Sequence, residues 1–306
     1  MALRFSPLVR DALDHGYPVV ALETGIITHA LPRPLNLETA LGVEQQLHSA
    51  GVVPATIGFI DGDAVIGLTE AELTRLAEDT SAVRVSMRDL PYCQTMGCTG
   101  GVPLASALHL AHRAEIQVCA TTGLGGVHRA HTVGVALQES SDLTSLALHP
   151  LVVVTAGVRP MLDLAATLER LETMSVPVLG YRSSEFAGFY VASSGFHVDH
   201  RVDDPGQIAD IAGARDELGL TQSLVISNPV RREREVPHYD ERLAEAAQIA
   251  SRHGDAGEDD TQILLASLEE ATGGIAWKVN TEIYRQNVAL AAEIAKKMAT
   301  TPRYTD

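Results

Sequence analysis

Ile116-Gln117-Val118-Cys119-Ala120-Thr121-Thr122-Gly123-Leu124-Gly125-Gly126-Val127-His128-Arg129, followed shortly by Ser140-Ser141-Asp142, is the stretch on which the reading of the chain turns. Ile116–Ala120 has the apolar, β-rich character of a short buried strand, and the sequence after it carries three glycines within four positions. Glycine lets the backbone approach a ligand closely, so a strand running into such a loop, with Thr hydroxyls, His128 and Arg129 beside it, predicts a phosphate cradle. A glycine-rich turn that only joins strand to helix has the same local sequence, and the remainder of the chain has to separate the two readings.

Working outward, the same strand-then-helix rhythm recurs. Val19–Leu22 is a short apolar run ending in Glu23, and Leu151–Thr155 is a nearly continuous β-branched run ending at Ala156-Gly157-Val158-Arg159. Such runs predict strands buried on both faces of a parallel sheet. Ala82–Val85, carrying Arg84, Val176–Tyr181 and Ser223–Ser227 repeat the pattern, while Asp61-Gly62 between Thr56–Ile60 and Ala64–Leu68 predicts a tight hairpin. Thr69-Glu70-Ala71-Glu72 is a capping box that starts a helix at Glu70. Helices are also expected from about Leu37 to Ser49 with Asn36 as cap, over Gly101–Ala114, from Met161 to Glu172 with Pro160 in the first turn, and over Tyr239–His253, Asp260–Ala271 and Asn280–Ala299. The Ser/Gly/Phe-rich segment Ser183–Asp204 gives no clear element and is expected to cover a site. Alternating strands and helices define an α/β fold, whose ligand pocket collects strand ends: Glu23, Arg84, Thr121 and Arg159.

Composition narrows the partners. With 306 residues and 45% hydrophobic content the chain can bury a full core, and one domain over residues 1–306 is expected. A net charge of -16 disfavours nucleic acid and anionic membrane, which both repel an acidic surface. A small anionic ligand would need placed cations, and Lys and Arg together number only 23, so each one near a strand end is informative. Cys93, Cys98 and Cys119 lack paired spacing, which gives neither a disulfide scaffold nor a structural zinc site. No apolar run reaches spanning length and the N-terminus has no signal-peptide pattern, so a cytoplasmic protein is expected.

Taken in order, Ala21-Leu22-Glu23-Thr24-Gly25-Ile26-Ile27-Thr28-His29, Val53-Pro54-Ala55-Thr56-Ile57, Val85-Ser86-Met87-Arg88-Asp89-Leu90-Pro91 and Gly123-Leu124-Gly125-Gly126-Val127-His128-Arg129 resemble the pseudouridine-5′-phosphate glycosidase family, also called indigoidine synthase A-like. The likeness continues through Leu162-Asp163-Leu164, Asn228-Pro229, Thr272-Gly273-Gly274 and Asn280, spanning almost the whole chain. It implies an α/β/α layered sandwich, a homotrimer, a nearby manganese ion, and reversible cleavage of the C–C bond between uracil and C1 of ribose 5-phosphate. In that chemistry the sugar ring opens, a lysine traps C1 as an imine and a glutamate moves the proton on the base. By position, Glu23 falls on the general acid/base, Ser140 and Asp142 on sugar-phosphate contacts, Asn280 on a base contact and His128 on a pocket histidine.

Three positions depart from the family pattern. Arg159 stands where the imine-forming lysine is expected, and a guanidinium stays protonated and forms no ordinary catalytic imine. Arg84 replaces a second, substrate-contacting lysine. The metal-bearing aspartate aligns with Gln138, a poor substitute for a charged ligand, with Glu139 one step away. The reading that follows is C-ribosylation: Glu23 and Arg159 as catalytic residues, with Arg84, Thr121, His128, Ser140, Asp142 and Asn280 binding ribose 5-phosphate and an aromatic or uracil-like carbon acceptor. Members with this resemblance make C-ribosylated natural products, alnumycin-type aromatic polyketides among them. Cleavage of pseudouridine 5′-phosphate, with Lys278 beside Asn280 supplying the amine, is the alternative, and a non-catalytic phosphosugar-binding protein is a second one.

Overall fold

The computed structural model describes residues 3–129, 138–250 and 260–300. Its centre is an 11-stranded sheet. From one edge the main path runs Leu3–Phe5, Asp63–Ile66, Val53–Ile60, Val19–Glu23, Val118–Ala120, Val152–Thr155, Leu224–Ser227, Val178–Tyr181 and His200–Val202. Every neighbouring pair on this path is parallel except Val53–Ile60 with Asp63–Ile66, the hairpin turned by Asp61 and Gly62, which both have positive φ. That turn is the one the Asp-Gly pair predicts, since both of its central residues must be left-handed.

Side chains alternate across the sheet, and each face has its own core. Ala21, Cys119, Val153 and Val225 pack on one face with Leu104, Leu108, Leu143, Leu146 and Leu171, which come from the helices Leu104–Arg113, Ser141–Leu148 and Leu164–Thr173. Val20, Leu22, Val118, Ala120, Val154 and Ile226 pack on the other with Val43, Leu47, Ile208, Tyr284 and Val288, from Leu35–Ser49, Pro205–Glu217 and Ile275–Thr300. The result is the α/β/α layering expected from the sequence. A third cluster holds Ala156, Phe189, Tyr190, Val236, Ala246, Leu268, Ala276 and Ile283, and joins the Ser183–Asp204 region to the helices Tyr239–Ala250, Asp260–Thr272 and Ile275–Thr300.

Several boundaries move for physical reasons. The helix at residue 70 starts as expected, with Glu72 N–H donating to Thr69 Oγ1 and Glu72 Oε2 accepting from Thr69 N–H. Asn36 is inside Leu35–Ser49 and does not cap it: its Nδ2 donates to the carbonyls of Ile27 and Ala77, a tertiary clamp. The helix expected from Met161 begins at Leu164 instead, capped by Asp163, because Leu162–Asp163 first pairs antiparallel with Val127–His128. Pro205–Glu217 is a helix that the sequence reading left unassigned, although Asp204 before Pro205 is an ordinary start signal. Of the Tyr239–His253 helix, the part beyond Ala250 lies outside the described residues.

Candidate active site

The two strands on either side of the sheet's turning point are Val19–Glu23 and Val118–Ala120. From Val19–Glu23 the chain goes by the helix Leu35–Ser49 to the strand on one side, and from Val118–Ala120 by Ser141–Leu148, on the opposite face, to the strand on the other. In open α/β sheets the crevice beyond the carboxyl ends at such a point is where ligands bind. Here it holds Glu23 and Thr121. Glu23 is 2% exposed, and its Oε1 accepts a hydrogen bond from Thr121 Oγ1. Arg159 follows the neighbouring strand Val152–Thr155 and is fixed through its backbone N–H to Leu124 O at 3.0 Å.

The electrostatics are those of a buried acid between cations. Burial raises the Glu23 carboxyl above its ordinary value of 4.5, with Asp142 adding to the rise, while Arg159, the Thr121 hydroxyl and Arg84 oppose it, Arg159 most strongly. The net direction is up, so the group holds its proton further toward neutrality than a surface glutamate would. Neither the Arg84 nor the Arg159 guanidinium is hydrogen-bonded to a protein group among the described residues, which leaves their donors for a ligand. Arg84 is exposed and Arg159 half-buried.

The helix Ile275–Thr300 packs against the strands that bear the site. Asn280, Tyr284 and Asn287 recur at four- and three-residue spacing on Ile275–Thr300, hence on one face. Asn287 is fully buried and donates from Nδ2 to Thr121 O at 2.8 Å, while its Oδ1 accepts from Asn228 Nδ2 at 2.9 Å. Tyr284 is buried, and burial followed by the Glu23 charge pushes its phenol well up, so it stays neutral. Asn280 is 4% exposed and its Oδ1 has no partner among the described residues, a buried acceptor that a ligand donor would satisfy. Lys278, two residues away and therefore some 200° around the helix, is exposed near Glu269. The side chain of Lys278 does not join Asn280 at the strand ends.

The glycine loop is only in part an open phosphate cradle. The N–H groups of Thr121, Leu124, Gly125, Val127 and His128 are engaged inside the protein, with Val154 O, Gly157 O, Asp142 Oδ2, Thr167 Oγ1 and Gln138 O respectively, while those of Thr122, Gly123 and Gly126 have no protein acceptor among the described residues. The glycines instead let side chains come close: a Cβ on Gly125 would lie 2.2 Å from Ser140 Oγ and 2.7 Å from Asp142 Oδ2, and one on Gly123 would lie 2.2 Å from the Phe189 ring. Asp142 is buried, and its two oxygens accept from Ala105 N at 3.1 Å and Gly125 N at 2.7 Å. Ser140 caps the helix Ser141–Leu148, taking the Asp142 N–H. Thr121, Ser140 and Asp142 are thus brought together with Glu23 as a framework, and His128 sits exposed in the small ladder with Leu162. The signal the sequence reading missed is Asn287, seven residues beyond Asn280 and thus on its face.

A manganese site does not fit the donors in view. Gln138 is exposed and neutral, Glu139 is held by Arg170 Nε at 2.6 Å, and both Asp142 oxygens are taken by backbone N–H groups. Among the described residues no three metal-binding side chains converge.

A buried carboxyl acted on by two arginines at the carboxyl ends of a doubly wound sheet, neither guanidinium hydrogen-bonded to a protein group among the described residues, defines an α/β protein with a site suited to an anionic small molecule. The chain belongs to the indigoidine synthase A-like family, whose model matches residues 8–297. It is 50% identical to a pseudouridine-5′-phosphate glycosidase of Saccharopolyspora erythraea, over 95% of this chain and 96% of the relative, and 44% identical to one of Frankia alni, over 97% and 82%. Among solved structures it resembles an indigoidine synthase A-like protein of Thermotoga maritima, with 33% identity, a TM-score of 0.85 and coverage of 93% and 94%. It also resembles the prealnumycin C-glycosynthase AlnA in complex with ribulose 5-phosphate, at 31% identity, a TM-score of 0.88 and coverage of 98% and 97%.

Proposed function

We propose that this protein acts on the carbon–carbon bond between C1 of ribose 5-phosphate and an electron-rich carbon of an aromatic or heterocyclic partner, in the direction of synthesis and without a lysine imine. The observation that carries the reading is Glu23, a buried carboxyl pushed toward its neutral form with Arg159 as its strongest opposing charge. By the family resemblance, Arg159 stands where the imine-forming lysine is expected. The amine alternative is weakened because Lys278 faces away from the strand ends.

Ribulose 5-phosphate, bound by the AlnA relative, is a ketose whose O5 is phosphorylated, so it has no hydroxyl placed to close a stable ring. A site of that shape favours open-chain pentose phosphates, and the open form of ribose 5-phosphate presents C1 as an aldehyde. In this reading Arg159 donates hydrogen bonds to the aldehyde oxygen while the acceptor carbon attacks C1. The π pair moves to O1, which takes the Glu23 proton, and the resulting carboxylate then removes the proton from the acceptor carbon. O4 then closes on C1 as the O1 hydroxyl takes a second proton from the reprotonated Glu23 and leaves as water, while the O4 proton passes out and Glu23 is reprotonated from solvent. Arg84 binds the phosphate, and Asn280 Oδ1 accepts a donor from the incoming ring. Ser140 and Asp142 serve by holding the loop's shape, and no step is routed through a metal. A single domain and a homotrimer belong to the same proposal.

Cleavage of pseudouridine 5′-phosphate is the second reading, and the names of relatives at 50% and 44% identity favour it. One panel separates the two: ribose 5-phosphate with uracil, ribose 5-phosphate with a polycyclic phenol, and pseudouridine 5′-phosphate alone, followed by chromatography and mass. Coupling to the phenol supports synthesis, and release of uracil as the only activity supports cleavage. Binding without turnover in all three arms overturns the enzymatic reading in favour of a phosphosugar-binding protein.

A further inference from the structure

We propose that His29 is a second acid/base in this site, acting on O4 of the sugar during ring closure and opening, while Glu23 acts on O1. The inference rests on the phosphosugar reading above and adds a residue to it. Glu23 runs directly into a π-helical turn, Ile26–Ala30, an uncommon element that recurs at functional sites. Thr24 and Gly25 anchor the start of this segment, both donating from their backbone N–H groups to Val102 O. Thr28 then lies against Gly101, where a Cβ would come within 2.0 Å of Thr28 Oγ1. Gly101 pairs across the sheet with Arg84. The turn thus carries His29 from Glu23 toward Arg84, and the Arg84 charge acts on both Glu23 and His29.

Thr28 Oγ1 lies 3.1 Å from Thr24 O and 2.5 Å from His29 Nδ1, and its one proton serves one of the two. In the tautomer on which this role rests, the hydroxyl donates to Thr24 O and His29 Nδ1 donates to the hydroxyl; this puts the lone pair on Nε2, to which no protein donor is recorded among the described residues. Burial, and after it Arg84, lower the tendency of the ring to protonate, so His29 is neutral at pH 7. The ring is half-buried and therefore reachable.

Chemistry calls for such a group. When O4 attacks the C1 aldehyde the O4–C1 bond forms, the O4 proton passes to Nε2, and the C1=O π pair goes to O1, which takes the proton held by Glu23. In opening, the Glu23 carboxylate takes the O1 proton and the imidazolium returns one to O4. Protons balance in both directions, and a single carboxyl at one end of the C1 centre cannot serve both oxygens at once.

The test isolates this half-reaction from the carbon acceptor. Interconversion of the α and β anomers of 1-13C-labelled ribose 5-phosphate requires opening and closure only, and saturation transfer measures its rate with and without protein. Wild type is expected to accelerate it, and His29→Gln to lose about tenfold or more of that acceleration while ribose 5-phosphate affinity by calorimetry stays within about twofold. Added imidazole is expected to restore part of the rate to His29→Ala, a recovery that a purely structural role would not give. If His29→Ala fails to fold by circular dichroism, the His29→Gln comparison decides. Unchanged acceleration in His29→Gln, or no acceleration by wild type that binds the sugar, overturns the inference and leaves the C–C bond reading standing. Absence of ribose 5-phosphate binding overturns both.

Discussion

Thr121 donates its hydroxyl hydrogen bond to Glu23 across the point where the sheet's winding reverses, joining residues 98 positions apart in the chain. Thr121 is held in turn through its carbonyl by Asn287. The carboxyl is therefore positioned by a rigid relay and not by a mobile loop, which frames what its replacement should do.

Glu23→Gln keeps the shape and a hydrogen-bond acceptor for Thr121 but removes the exchangeable proton. The variant should fold normally and lose roughly two to four decades of turnover, the usual scale of general acid/base catalysis. A steady-state rate on the true acceptor equal to that of wild type would make Glu23 structural.

The same substitution carries a pH signature. Because the folded-state pKa of Glu23 is raised above 4.5, its contribution to stability is fully present below that value and is lost as pH rises through the folded pKa. Wild type should therefore lose stability relative to Glu23→Gln on going from pH 4.5 upward. Melting temperatures of the two proteins across pH 4–9 check this; a wild-type melting temperature that rises relative to that of Glu23→Gln, or keeps pace with it, as pH increases would contradict it.

Arg84→Ala should weaken ribose 5-phosphate by about 1.5–3 kcal/mol, the range for a hydrogen bond to a charged group. Ribose lacking the phosphate should bind much more weakly to wild type and be indifferent to the substitution. Calorimetry with the two sugars measures both effects, and equal affinities would remove Arg84 from the phosphate.

Borohydride added during turnover with ribose 5-phosphate should leave no sugar adduct on the wild-type protein. Arg159→Lys restores an amine at that strand end and should give a stable adduct at position 159, read by peptide mass. An adduct on Lys278 of wild type would restore the imine mechanism.

Gly125→Ala tests the loop's close packing, since the new methyl has to displace Ser140 Oγ and Asp142 Oδ2. A stability loss of about 1–3 kcal/mol in urea unfolding is expected for such overpacking. No loss would mean that the loop yields easily and is not the template for the site.

Much of the fold is legible in the sequence. The apolar runs ending in Glu23 and Thr155, the Asp61-Gly62 turn and the Thr69 capping box are local signals, and local chemistry decides them. Where the reading failed, the deciding partner was distant. Pro160 looks like a helix start until Leu162–Asp163 pairs with Val127–His128, and Asn36 looks like a cap until Ala77 O comes within 3.0 Å. The glycine loop shows the same limit within the site. Its sequence suits an anion cradle, but whether its N–H groups stay available depends on Asp142, Thr167 and Gly157, which periodicity cannot place. Asn287 was invisible for the converse reason: an amide inside a helical pattern reads as surface until the helix is docked.

That docking also sets an order of assembly. The strands bearing Glu23 and Thr121 are made early in synthesis, whereas the amide that grips the Thr121 carbonyl comes from the last described helix, Ile275–Thr300. A chain still emerging from the ribosome carries its acid and its arginines without the clamp that aligns them. Alignment of the proposed site thus waits for this helix, and a chain cut before it that keeps Glu23, Arg84 and Arg159 would lack the amide that holds Thr121.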